Sequence, residues 1–155
     1  MGIDPVDGQV TVLGAVAVDL RGLAFVGGTL YGSSANALYT VALDGATSLV
    51  ATYAPAPVID GLASDGTGLF GIEMVGGDAL LYAITTAGVD TLIGETGAIE
   101  PFALAYDDTT GTLHSFDPGR NGIISLDTAT AAATVPSAII AVDSDGLTWD
   151  AAGNR

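Results

Sequence analysis

The 155-residue chain contains no cysteine. That excludes a disulfide framework, a thiolate metal site and a cysteine nucleophile, and it leaves the redox compartment open. Lysine is absent too: Arg21, Arg120 and Arg155 stand against 18 acidic residues, for a formal charge of −15. A surface of that sign repels phosphate backbones and anionic headgroups, so neither nucleic acid nor membrane is an expected partner. It suits a saline or extracellular setting, where acidic surfaces stay soluble, although no address in the sequence fixes the compartment. No apolar run reaches membrane-spanning length, and "MGIDPVDGQV" lacks the basic start and apolar centre of a signal peptide. Aromatics make up only 6% of the chain.

What is abundant is glycine, 22 residues spread along a chain that is 49% hydrophobic. That apolar content and length suffice for one globular domain with a sizeable core. Glycine-rich punctuation between short runs of branched and aromatic residues predicts many short strands joined by tight turns, an all-β fold.

One phrase recurs: "GLAFVGGTLYG" from Gly22, "GLASDGTGLFG" from Gly61, "ALAYDDTTGTLHS" from Ala103 and "GLTWDAAGNR" from Gly146. The starts are 39, 42 and 43 residues apart, the signature of a repeat architecture. Each unit then carries a third strand ("ALYTVAL", "LLYAITT", "GIISLDT") and a fourth ("TSLVATY", "DTLIGET", "AATVPSA"). Leu38, Leu81 and Ile123 hold one register position, and Val41, Ile84 and Leu126 another. Four antiparallel strands every forty or so residues make a propeller blade. The pattern resembles the β-propeller repeat proteins whose blades read roughly "GLAFD…G.LYG…LY.ID..TG..T.VG". The resemblance covers nearly the whole chain and implies a fold, while propellers serve as binding scaffolds, lectins, surface proteins and enzymes alike.

The expected organisation is one propeller module over 1–155: closing strands in 1–21, blades at 22–60, 61–102 and 103–145, and the opening strand of a composite blade at 146–155. Ile3-Asp4 matches Leu126-Asp127 and "QVTVLG" matches "DTLIG", so the chain starts in the third and fourth strands of a blade and ends on a first strand. Joining the two ends would leave no open sheet edge. Ile3, Val10, Val12, Leu147 and Trp149 are the expected closure residues. Closure within one chain would make a four-bladed ring; closure between two chains would make an eight-bladed homodimer, the form favoured here.

Candidate sites are few. Asp143, Asp145 and Asp150 surround the turn in "AVDSDGLTWDAAGN" and carry the oxygen ligands that Ca²⁺ takes, although the EF-hand pattern fails because Ala152 stands where its glutamate should be. Asp-Gly is equally what a tight turn prefers. Asp107 and Asp108 in "YDDTTG" have no counterpart in step along the repeats, which favours turn chemistry. His114 sits beside Ser115 and near Asp117, but adjacent strand residues point to opposite faces, and His114 fills the slot of Tyr31 and Phe70. Glu95 and Glu100 flank a loop; with Glu73 they are the only glutamates. The calcium- or zinc-dependent lactonases resemble the chain in a "GLxxD" opening strand, yet the glutamate, asparagine and aspartate they require have no evident counterpart here. The expectation is a non-enzymatic binding or assembly scaffold without a catalytic residue. The alternatives are a metal-dependent, lactonase-like hydrolase with its site at the central channel, and a carbohydrate binder using Trp149 and the tyrosines as a stacking shelf.

Overall fold

The computed structural model describes residues 2–4, 6–120, 122–135 and 147. Within them the chain is all-β apart from one 3₁₀ turn, Pro118–Arg120. Three four-stranded antiparallel sheets follow one another along the sequence. The first blade consists of β3 (Gly22–Val26), β4 (Thr29–Ser33), β5 (Ala37–Val41) and β6 (Thr47–Thr52). The second consists of β7 (Ile59–Ser64), β8 (Leu69–Val75), β9 (Asp78–Ile84) and β10 (Asp90–Glu95). The third consists of β11 (Leu104–Asp107), β12 (Thr112–Asp117), β13 (Gly122–Leu126) and β14 (Ala133–Thr134). Ahead of them, β1 (Gly2–Ile3) pairs with β2 (Val10–Thr11), Ile3 opposite Val10.

Local chemistry explains the hairpins. Val26 pairs with Thr29 and Val75 with Asp78, each across a Gly-Gly loop with positive φ at both glycines. Such a two-residue turn follows the twist of the strands and is nearly closed to residues with a Cβ. Elsewhere aspartate shapes the turn by accepting backbone N–H groups two or three residues ahead. Asp65 takes those of Thr67 and Gly68, Asp107 those of Thr109 and Thr110, and Asp127 those of Ala129 and Thr130.

The repeat register decides which blade each side chain meets. Leu38 faces the second blade and packs with Ile59, Leu62, Leu69 and Ile84. Leu81, its equivalent, faces the third blade and packs with Leu113, Ile124 and Leu126. Positions Leu38, Leu81 and Ile123 thus look toward the following blade, whereas Val41, Ile84 and Leu126 look toward the preceding one. Both seams between complete blades are lined by buried apolar side chains, and each fully buried aliphatic side chain contributes about 1.5–3 kcal/mol. The two positions that look outward from the three-blade block, Val41 and Ile123, are only half-buried. The aromatic slot behaves the same way: Tyr31 packs against the first seam, and Phe70 stacks on Tyr106 across the second with ring centroids 6.0 Å apart.

Candidate functional site

The first strands of the blades, β3, β7 and β11, lie side by side and line the propeller axis. An open cavity of about 430 Å³ adjoins a second of about 310 Å³, the two sharing Leu23, Leu62, Leu104 and Leu147. The repeat builds this channel in layers. Arg21, Asp60 and Phe102 form the mouth; Gly22, Gly61 and Ala103 come next; Leu23, Leu62, Leu104 and Leu147 form an aliphatic ring below them. Ala24, Ala63 and Ala105 continue inward.

The second layer is small because the inner strands almost touch. A Cβ on Gly22 would stand 2.7 Å from the Leu62 nitrogen, and one on Gly61 would overlap the Phe102 carbonyl oxygen. Neither glycine has a left-handed φ, so the requirement is space rather than backbone conformation. At the mouth, Arg21 Nη1 bonds Asp60 Oδ1 at 2.5 Å and ties the first blade to the second. Among the described residues those two are the only ionisable side chains of the mouth and its cavity, and each satisfies the other.

Away from the axis, two carboxylates occupy one register position near the end of the second strand of a blade. Glu73 accepts the Val58 N–H at 2.8 Å and the Tyr82 hydroxyl at 2.8 Å. Asp117, fully buried, accepts the N–H groups of Ile99 at 2.9 Å and Glu100 at 3.3 Å. Each therefore pins the connector that arrives from the preceding blade. Arg120 closes the second clamp, its Nε 3.6 Å from Asp117 and its Nη2 bonded to the Gly97 carbonyl. Burial, the hydrogen bond to Glu73 and the charges of Glu73 and Asp90 hold the Tyr82 phenol well above its usual range, so it remains a donor. Burial, with the charge of Asp90, does the same to Tyr53, whose hydroxyl is buried without a hydrogen-bond partner among the described residues.

Strand alternation predicts that His114 and Ser115, with Asp117 nearby in sequence, point to opposite faces. The structure shows that separation: Ser115 is fully buried and donates to the Ala103 carbonyl at 2.6 Å, while His114 lies on the opposite face with Nδ1 3.3 Å from Ser125 Oγ. Asp107 is engaged entirely in its own turn. The Thr110 hydroxyl at 2.6 Å and the backbone N–H groups of Thr109 and Thr110 outweigh its burial and hold its carboxyl below the usual range. No group of three or more histidine, aspartate or glutamate side chains able to hold a metal occurs among the described residues. Asp143, Asp145, Asp150 and Trp149 lie outside the described residues. Of the expected closure residues, Ile3 pairs with Val10 in β1–β2, Val10 and Val12 are 57% and 79% exposed, and Leu147 reaches the axial ring. The connector clamps were missed because a single glutamate and a single aspartate carry no motif; their one signal was a shared repeat position.

No family model matches the chain, and no curated protein matches it in sequence. Solved structures match its fold. One is from a nidogen/laminin complex, at 16% identity over 83% of this chain and 52% of that one, with a TM-score of 0.62. Another is virginiamycin B lyase from Staphylococcus aureus, at 19% identity over 81% of this chain and 44% of that one, with a TM-score of 0.57. A third, a protein of unknown function from Bacteroides thetaiotaomicron, matches 89% of this chain and 35% of its own at 19% identity, with a TM-score of 0.57. The chain thus spans about half the length of the first two. These neighbours are β-propellers and include a lyase, so they agree on the architecture and divide on activity.

Proposed function

We propose that the chain is a non-enzymatic propeller scaffold that pairs with a second copy of itself, the C-terminal segment of each copy completing the blade begun by β1–β2 of the other. One comparison carries this reading. Leu23, Leu62 and Leu104 are equivalent residues, yet Leu62 and Leu104 are 4% and 5% exposed and Leu23 is 54% exposed. Leu62 is covered by the first blade and Leu104 packs in the seam with the second. In this reading Leu23 looks toward the blade that β1–β2 begins, and Leu147 of the same chain, although it lines the same cavity, leaves it exposed. Half-buried Val41 repeats the deficit on the same face. A first strand from a second copy would cover that face and remove an open sheet edge. Among the described residues the two charged side chains of the channel mouth are spent on each other, which supports scaffold over catalyst.

The absence of cysteine makes the test clean. Val6 is 92% exposed, so Val6→Cys chains labelled separately with donor and acceptor dyes report association on mixing. Energy transfer that Leu147→Asp abolishes is the expected result. Absence of transfer at every concentration overturns the dimer.

A further inference from the structure

The outer strands carry a feature that neither the core nor blade completion uses. Leu49 on β6, Leu92 on β10 and Val135 beyond β14 share one register position and are 58%, 52% and 44% exposed. In β6 and β10 the next residue, Val50 or Ile93, sits in a bulge and packs into the seam, while the exposed leucine stays out of both core clusters. Like β10 and β14, β6 pairs with one strand only among the described residues, so one row of its backbone N–H and C=O groups has no strand partner; unlike β10, which carries Asp90 and Glu95, it is uncharged. Its sequence, Thr47–Thr52, holds neither charge nor proline, two of the devices that protect natural edge strands.

Its ends are marked by carboxylates. Asp44 stands in the turn before β6 and bonds Ala46 N–H, and Asp90 reaches across from the second blade to bond Ala54 N–H at 3.1 Å. The described arginines are committed elsewhere, Arg21 to Asp60 and Arg120 to Asp117 and Gly97. We propose that the β6 edge of the first blade is a docking site for an extended peptide that adds a fifth strand, with an aliphatic side chain on Leu49 and a basic residue at each end facing Asp44 and Asp90. Backbone pairing supplies the binding and the two carboxylates set the register. Charge favours this partner, because a basic strand is drawn to a chain of −15.

The probe is acetyl-Lys-Val-Thr-Val-Thr-Val-Lys-amide, labelled and titrated into the full chain by fluorescence anisotropy. Three controls accompany it: the same peptide N-methylated at alternate amides, a version with glutamate at both ends, and the variants Leu49→Lys and Leu92→Lys. The expected result is saturable binding that weakens about tenfold or more with N-methylation, as lost strand hydrogen bonds require. Glutamate ends and Leu49→Lys should weaken it similarly, Leu92→Lys should not, and backbone amides of β6 should gain exchange protection. Equal binding of the N-methylated peptide would mean charge attraction alone and would overturn the proposal. So would no binding, or loss with Leu92→Lys but not Leu49→Lys. Assemblies larger than a dimer that resist the peptide would assign the edge to self-pairing and overturn it as well. Leu49→Lys leaves the axial face intact, so a dimer that persists in that variant separates failure of this site from failure of blade completion.

Discussion

Replacing Gly61 with alanine tests how closely the blades are drawn together at the axis. In a strand interior the substitution ordinarily stabilises by roughly 0.5–1 kcal/mol, because alanine has less backbone freedom to lose. Here the added Cβ would overlap the Phe102 carbonyl oxygen and stand 3.1 Å from Ile72 Cγ2. Both are held, Phe102 by the connector into β11 and Ile72 by complete burial in the second seam. Relief requires the second and third blades to part at their inner strands, an overpacking cost of about 1–3 kcal/mol that exceeds the entropic gain. For a chain of this size each kcal/mol moves the melting temperature by about 2–4 °C, so a net loss of about 1 kcal/mol lowers it by about 2–4 °C. Gly68→Ala is the matched control. It also lacks a left-handed φ, but its Cβ would meet nothing nearer than the Ile84 carbonyl oxygen at 3.6 Å. It should leave the melting temperature unchanged or raise it by about 1–3 °C. Thermal melts and urea titrations of the three proteins decide the matter. If Gly61→Ala melts at or above the parent, the inner strands do not pack as described and the channel geometry is wrong.

Three further outcomes follow from the same structure. Asp117→Ala strips the acceptor from the Ile99 and Glu100 N–H groups and should cost about 2–4 kcal/mol in urea unfolding; a loss below 0.5 kcal/mol would remove the clamp from the account. The turn aspartates make a pH prediction. Asp107 and Asp127 are held below the ordinary value of about 3.9, first by the Thr110 hydroxyl and by the Thr130 N–H respectively, so the unfolded chain binds their protons more readily. Their stabilisation is full at neutral pH and is lost as pH falls below about 4 through their lower folded values; Asp107→Asn should flatten that part of a urea-midpoint profile, and an unchanged slope would contradict it. Salt discriminates the two proposed interactions. Screening two chains of −15 should strengthen blade completion, and screening Asp44 and Asp90 should weaken the peptide, readable by light scattering and anisotropy between 50 and about 500 mM salt.

The repeat made much of the fold legible. The phrase beginning at Gly22, Gly61 and Ala103 marks the inner strands, and the His114 slot was recognised by its alignment with Tyr31 and Phe70, which the pairing of His114 with Ala105 and Ser125 matches. Strand alternation alone separated His114 from Ser115. What stayed hidden depends on neighbours rather than on local sequence. Leu23 and Leu62 read identically, and only the count of blades flanking each makes one exposed and the other buried. Glu73 looked like one of three scattered glutamates until the connector at Val58 came within reach of it. Leu49 read as an ordinary strand residue because nothing in a repeat says which of its strands is outermost. The β7 start at Ile59, two residues ahead of the repeated phrase, follows from pairing with Glu73 on a strand that β8 extends to Val75.

The most direct test of blade completion is the solution mass of the unmodified chain, by light scattering after size exclusion, across a wide concentration range. A mass of twice 15.3 kDa that holds on dilution is the result expected if each copy finishes the other's blade. A mass of 15.3 kDa throughout would mean that Leu23 and Val41 remain uncovered or are closed within one chain, and would contradict the account.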